Sequence, residues 1–310
     1  MTSTFAMHGL VWRSAVDLHH AQEASEEHDL DLVLGADRVV GDEPPAGREL
    51  AHRDDEDGDP LYTFTRSESG TILRFHRLCD FQLDAGLRHA VCYRAPGTDP
   101  EYVQVLATGM LVTTVLTLRG HPVLHASAVE SNGIGMAFVG ARGMGKSTLA
   151  TLLCQTGCAM ISDDVLRVDI KGDRLLCRAG SLESRLRPKA SYLDGERAAR
   201  QTADGRFALR ATHVAADNVP LRVIAVPYPT RGLQAPIVER LRPAAALREL
   251  LRFPRIVGWQ DPLTNGELFL HLGQLVRSVP VLRLQVPWQE RLDLSLGEEI
   301  RELLLDAARQ

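Results

Sequence analysis

The stretch Ile134-Gly-Met-Ala-Phe-Val139-Gly140-Ala-Arg-Gly-Met-Gly-Lys146-Ser147-Thr148 decides the fold. An apolar strand, Gly135–Val139, feeds Gly140-Ala141-Arg142-Gly143-Met144-Gly145-Lys146-Ser147, and a helical run, Lys146–Gln155, leaves it. The octet matches G-x-x-x-x-G-K-[ST] in full, between the strand and the helix that a phosphate-binding loop requires. Gly140, Gly143 and Gly145 let the backbone bend tightly and approach a phosphate. Successive N–H groups then form an anion cradle, and the helix start adds the positive end of its dipole. Lys146 brings a mobile point charge to the β- and γ-phosphates. Ser147 offers a hydroxyl to magnesium, a cation that prefers oxygen ligands. The expected cofactors are therefore ATP and Mg2+, contacted along Gly140–Thr148.

A cradle alone does not say what becomes of the phosphate. The next strand, Ala159–Ser162, ends in Asp163-Asp164, close to where strand and loop should converge. One carboxylate there can hold magnesium. A second can take the proton of an attacking hydroxyl, help typically worth ~10²–10⁴-fold in rate. The plainer reading is a turn cap or a metal-only pair. His125 lies on the strand Val123–Glu130, twenty-one positions before Lys146. It either orients a carboxylate or is a satisfied core histidine.

Outward from this centre the elements alternate. Ser131-Asn132-Gly133 marks a tight hairpin before the loop. A second hairpin follows as Val165–Ile170, Lys171-Gly172-Asp173 and Arg174–Arg178. Leu221–Val226 and Val281–Val286 read as strands; Ala244–Arg252, Gly266–Val276 and Gly297–Ala307 read as helices. This alternation predicts an α/β layer architecture. Residues 1–97 read instead as a β-rich region with polar loops, its strands at Leu30–Leu34, Leu61–Thr65, Thr71–His76 and Val91–Tyr93. The acidic run Arg53–Pro60 fails the calcium-loop pattern, because Arg53 falls at the first ligand position. Asp99 and Pro100 are a helix cap and first helical residue, so the second region is placed at 98–310.

The chain has 310 residues, 45% of them apolar and 24% charged, with a formal net charge of −5. That length allows one large domain or two ordinary ones. A mildly acidic chain without a basic run does not suit nucleic acid. Five cysteines, an odd number, argue against a disulfide framework and for a reducing cytoplasm. Cys154 and Cys158 read as core residues. The N-terminus shows no signal-peptide pattern. Val103–Leu118 carries Gln104, Gly109 and several threonines and falls short of a span of ~20 residues. It is expected to be a buried helix, with no membrane partner.

His121-Pro-Val-Leu-His125-Ala-Ser-Ala-Val129, Gly140–Thr148 and Ile161-Ser-Asp163-Asp164 together resemble the catalytic domain of HPr kinase/phosphorylase, bacterial protein-serine kinases built on a phosphate-binding loop. The spacings of twenty-one from His125 to Lys146 and seventeen from Lys146 to Asp163 suit that family. The resemblance implies a phosphate-binding-loop α/β core related to that of phosphoenolpyruvate carboxykinase. It makes Lys146 a phosphate-binding catalytic residue and gives magnesium to Ser147 and Asp164. Asp163 becomes the proton acceptor for a substrate serine, assisted by His125. The family's downstream signature, a metal-supporting Glu with several glycines, is replaced by Gly180-Ser-Leu-Glu183-Ser-Arg185-Leu-Arg187-Pro-Lys189. Glu183 is only a weak counterpart, so the reverse phosphorylase reaction is not implied. Arg185, Arg187 and Lys189 either steady phosphates or an acidic substrate, or face solvent. Trp259, Arg252 and Arg255 either shape a cleft or serve packing.

The N-terminal region resembles the front half of shorter HPr-kinase-like proteins, some of which accompany lasso-peptide pathways. The function implied is an ATP-dependent serine kinase acting on a protein or peptide, including a ribosomal natural-product peptide, with a homo-oligomer as the family precedent. A small-molecule kinase and a non-catalytic ATP-binding regulator are the alternatives, and the sequence does not name the phosphate acceptor.

Overall fold

The structure, a computed structural model, describes residues 2–20, 25–194, 200–203 and 205–310; the Lys189 side chain lies outside the described residues. The chain divides into two compact units. The first comprises Met1–Gly120 with Ile256–Glu267, and the second His121–Arg255 with Leu268–Gln310.

The first unit is built on an eight-stranded sheet. Its spatial order is Ser3–Met7, Leu10–Ser14, Leu30–Leu34, His89–Arg94, Cys79–Asp84, Gly70–Phe75, Pro60–Ser67 and Arg48–Asp54. Leu30–Leu34 runs parallel to both its neighbours, and every other pair is antiparallel. Alternation along these strands turns Phe64, Leu73, Phe75 and Phe81 to one buried face. Phe75 meets Phe64 and Phe81 edge-on, with centroids 5.5 and 6.1 Å away, a preferred aromatic geometry.

The helix Pro100–Leu118 belongs to this unit, so the compact boundary lies beyond the position 97 read from composition. Asp99 caps it by accepting from the Glu101 N–H at 2.9 Å. Gln104 donates to the Leu18 carbonyl, and Arg119 to those of Asp29 and Leu87. The helix is long and apolar enough to cross a membrane, which corrects the expectation from length; yet 67% of its most apolar window is buried within the protein. Its threonines explain the tolerance of polar groups there. Thr108, Thr113 and Thr114 each donate to the carbonyl four residues back, and Ala107–Leu111 widens to a π-helical turn.

The second unit holds the phosphate-loop motif. The strand Ile134–Val139 lies in a sheet between antiparallel Ala126–Ser131 and parallel Val219–Thr230. Val219–Thr230 is parallel in turn to Val281–Pro287. The other flank of Ala126–Ser131 carries Ala159–Ser162. Parallel strands need crossovers, and the helix Lys146–Gln155 begins the one that leaves Ile134–Val139. It buries Leu149, Ala150 and Leu153 with Phe138, Val223, Leu284 and Ile300. Leu152 faces another way, into a small core with Leu186, Ala190, Leu193 and Leu209. That second core belongs to a three-stranded sheet, ordered Glu183–Leu186, Phe207–Arg210, Arg200–Gln201, which sequence reasoning did not find.

Candidate functional site

The loop is shaped by two left-handed glycines, Gly143 at φ 91° and Gly145 at φ 93°. A side chain would strain either position. Gly145 immediately precedes the helix and offers no side chain as a cap, so the first helical N–H groups stay available to an anion. Lys146 folds back over the loop: its Nζ donates to the carbonyls of Gly140 at 2.8 Å and Ala141 at 3.1 Å. Burial lowers its pKa to about 8, against the opposing pull of Asp164 and Asp163. Ser147 and Thr148 are half-buried in the first helical turn, whereas Ala141, Arg142 and Gly143 form an exposed rim and Met144 is tucked partly inside.

Asp163 and Asp164 reach the site from the end of Ala159–Ser162, but their surroundings differ. Asp163 is buried, at 2% exposure. Its Oδ1 accepts from the Ser127 hydroxyl at 2.5 Å and its Oδ2 from the Arg185 N–H at 3.3 Å. The Ser147 hydroxyl lies close enough to favour the ionised form of this carboxylate. Burial pushes the Asp163 carboxyl up, and the neighbouring Asp164 adds to that; the hydroxyls of Ser127 and Ser147 work against it. The loop's serine and the first aspartate are thus neighbours.

Asp164 stands in the left-handed region at φ 70°, a conformation that costs a non-glycine residue energy and concentrates at functional sites. Its carboxylate meets His125 Nε2 at 3.4 Å, Arg185 at 3.0 Å and Arg255 at 2.6 Å. Burial pushes the Asp164 carboxyl up, but Arg255, His125 and Arg185 outweigh it and hold it well below the usual carboxylate range. His125 sits at a break in its strand. Val123–Leu124 pairs with Leu166–Lys171, while Ala126–Ser131 pairs with Ile134–Val139, and the change of partner leaves His125 between them. Burial lowers the His125 pKa and the Asp164 carboxylate opposes that shift.

Lys146, Ser147, Asp163, Asp164 and His125 therefore share one site. Glu183 does not stand free beside them: it pairs with Arg200 at 3.0 Å. Sequence reasoning missed Ser127, whose alternation on the strand before the loop was its only signal, and left open Arg185 and Arg255, which both bind Asp164. Among the described residues, no group of three His, Cys, Asp or Glu side chains is arranged to hold a metal by itself. The Ser147 hydroxyl and the Asp163 carboxylate are neighbouring hard oxygen donors, a set that fits magnesium completed by phosphate oxygens and water.

No protein-family model matches the chain. The chain is 35% identical over 57 residues to an HPr kinase/phosphorylase of Chlorobium phaeobacteroides (strain BS1), a match covering 18% of this chain and 17% of that protein. Among solved structures, the HPr(Ser) kinase/phosphatase of Coxiella burnetii aligns with 59% of this chain and 97% of its own, at 14% identity and a TM-score of 0.32. The chain thus bears an HPr kinase-like resemblance, carried in sequence by 57 residues of a chain of mixed α/β build.

Proposed function

We propose that the chain is an ATP- and magnesium-dependent phosphotransferase that moves the γ-phosphate to the seryl hydroxyl of a protein or peptide, in the cytoplasm. The observation that carries this reading is the gathering of the buried Asp163 and the His125–Asp164 pair beside Lys146 and Ser147 of the loop. A cradle for binding alone has no need of two carboxylates in such different settings.

Magnesium, when bound, would offset the charge of the transferred group. Ser147 and Asp163 are the residues to hold it. The neighbouring Ser147 supports a metal-side role for Asp163, while the more open Asp164, paired with His125, supports proton handling there. That is the exchange of the two roles implied by the family resemblance. Transfer then breaks the bond from the γ-phosphorus to the bridging oxygen and forms one to the serine oxygen. The serine proton passes to the Asp164–His125 pair, and ADP leaves.

The test is mass spectrometry of serine-bearing peptides and proteins incubated with the chain, ATP and magnesium. Gain of one phosphate is expected with wild type. Asp164→Asn should reduce kcat by ~10²-fold or more with little change in the magnesium requirement, and Asp163→Asn should raise that requirement. If both variants transfer phosphate normally, the carboxylates are not catalytic. A chain that binds Mg·ATP but modifies no hydroxyl is a regulator instead.

A further inference from the structure

From the geometry around Gly143 we infer that Arg187 is a built-in arginine for the terminal phosphate, projected from the small three-stranded sheet over the rim of the loop; this rests on the nucleotide-binding reading above. A methyl group placed on Gly143 would lie 3.1 Å from Arg187 Nη2 and 3.5 Å from both its Cζ and Nη1. The guanidinium therefore lies flat against the missing side chain of the loop's central glycine. Glycine at position 143 serves two ends here: it permits the left-handed turn, and it leaves room for that cation.

Three other cations of the neighbourhood have fixed duties. Lys146 is bonded to loop carbonyls, and Arg185 and Arg255 are committed to Asp164. Arg187 is exposed, and its guanidinium makes no hydrogen bond or ion pair with the described residues. An uncommitted guanidinium held against an anion cradle is the arrangement expected of a phosphate ligand, since its planar fork matches two phosphate oxygens at once.

Its position does not depend on a flexible loop. Leu186, the preceding residue, is buried against Leu152 of the loop's own helix. The Arg187 carbonyl accepts from the Ala190 N–H at 2.8 Å, starting the short helix Pro188–Asp194. Gln155, at the end of the loop's helix, donates to the Leu193 carbonyl at the end of that short helix. The segment bearing Arg187 is thus attached twice to the helix that begins at Lys146. Preorganisation of this kind is what makes a cation useful to a transition state, because no reorganisation is needed as charge moves. Arg187 neither gains nor loses a proton during transfer. It holds two oxygens of the γ-phosphoryl group while the bond to the bridging oxygen breaks.

The experiment measures Mg·ATP and Mg·ADP affinity of the full chain by calorimetry for wild type, Arg187→Gln and Arg187→Lys. The melting temperature of each serves as the folding control. Arg187→Gln should weaken Mg·ATP by about 10- to 100-fold, the scale of one or two charge-assisted hydrogen bonds, and leave Mg·ADP within about threefold. Arg187→Lys, which keeps charge but not the fork, should fall between. A merely structural arginine would shift both nucleotides together or neither. Equal loss for ATP and ADP, or no loss for either, overturns the assignment while leaving nucleotide binding intact. Failure of wild type to bind either nucleotide overturns both readings.

Discussion

Lys146 shows at the scale of one residue how a binding site acts against the stability of its own fold. It is 6% exposed, and its ammonium donates to two loop carbonyls. Burial brings its pKa from 10.5 to about 8. Below about pH 8 the amine is charged in both folded and unfolded chains, so the full burial cost is present. Between about 8 and 10.5 the unfolded chain keeps a proton that the folded chain has lost, and wild-type stability rises with pH across that window. Lys146→Met removes the buried charge but leaves two carbonyls without a donor, which offsets part of the gain. The variant should be more stable than wild type at pH 7 by on the order of 1 kcal/mol. That advantage should fade as pH is raised through the same window, and Mg·ATP binding should be lost throughout. Urea unfolding at pH 7 and pH 10 checks this; a variant less stable than wild type at pH 7 would show that the carbonyl contacts outweigh the burial.

At the scale of elements, the sequence was clearest where periodicity and punctuation agreed. Lys146–Gln155 and Ala159–Ser162 stand where the pattern placed them. Asn132 and Gly133 take the left-handed turn that their types announced, at φ 53° and 75°. The loop and the carboxylate pair were legible because their chemistry is written in adjacent residues, whereas His125 was singled out by the family resemblance. The three-stranded sheet was not: Arg200–Gln201 is two residues long, and its partners are tied together by tertiary burial on Leu152 rather than by local pattern. Nor did Val123–Glu130 stay one strand, since a change of pairing partner at His125 has no sequence signature. The same dependence on packing governs the closing helix Leu294–Arg309. A Cβ on Gly297 would lie 2.9 Å from Leu152 Cγ and 3.1 Å from Thr156 Cγ2 of the loop's helix. Gly297→Ala should therefore destabilise the chain by ~1–3 kcal/mol, the usual cost of overpacking. It should also raise the KM for ATP, because relief comes from moving the helix that carries Lys146 and Ser147. Thermal melts and nucleotide titrations read the two effects, and an unchanged melting temperature would mean that Leu152 yields freely.

Across the whole molecule, the two compact units do not correspond to two consecutive pieces of chain. Ile256–Glu267 belongs with Met1–Gly120, and the phosphate-binding unit is interrupted by it. The helix Pro100–Leu118 sharpens the consequence. Cut at the composition boundary, a fragment of residues 98–310 would keep that helix but lose the strands of its own unit. Val103, Ala107, Leu111, Val112 and Val115 are each 0 or 1% exposed in the intact chain, and the groups accepting from Gln104 and Arg119 at Leu18, Asp29 and Leu87 would be absent. Burying apolar surface stabilises by roughly 25 cal/mol per Å², so exposing such a face gives self-association a strong drive. Fragment 98–310 should aggregate under conditions where the full chain stays dispersed, as read by size exclusion with light scattering. A monodisperse fragment that still binds Mg·ATP would show instead that this helix is accommodated without the first eight strands, and that the phosphate site stands apart from them.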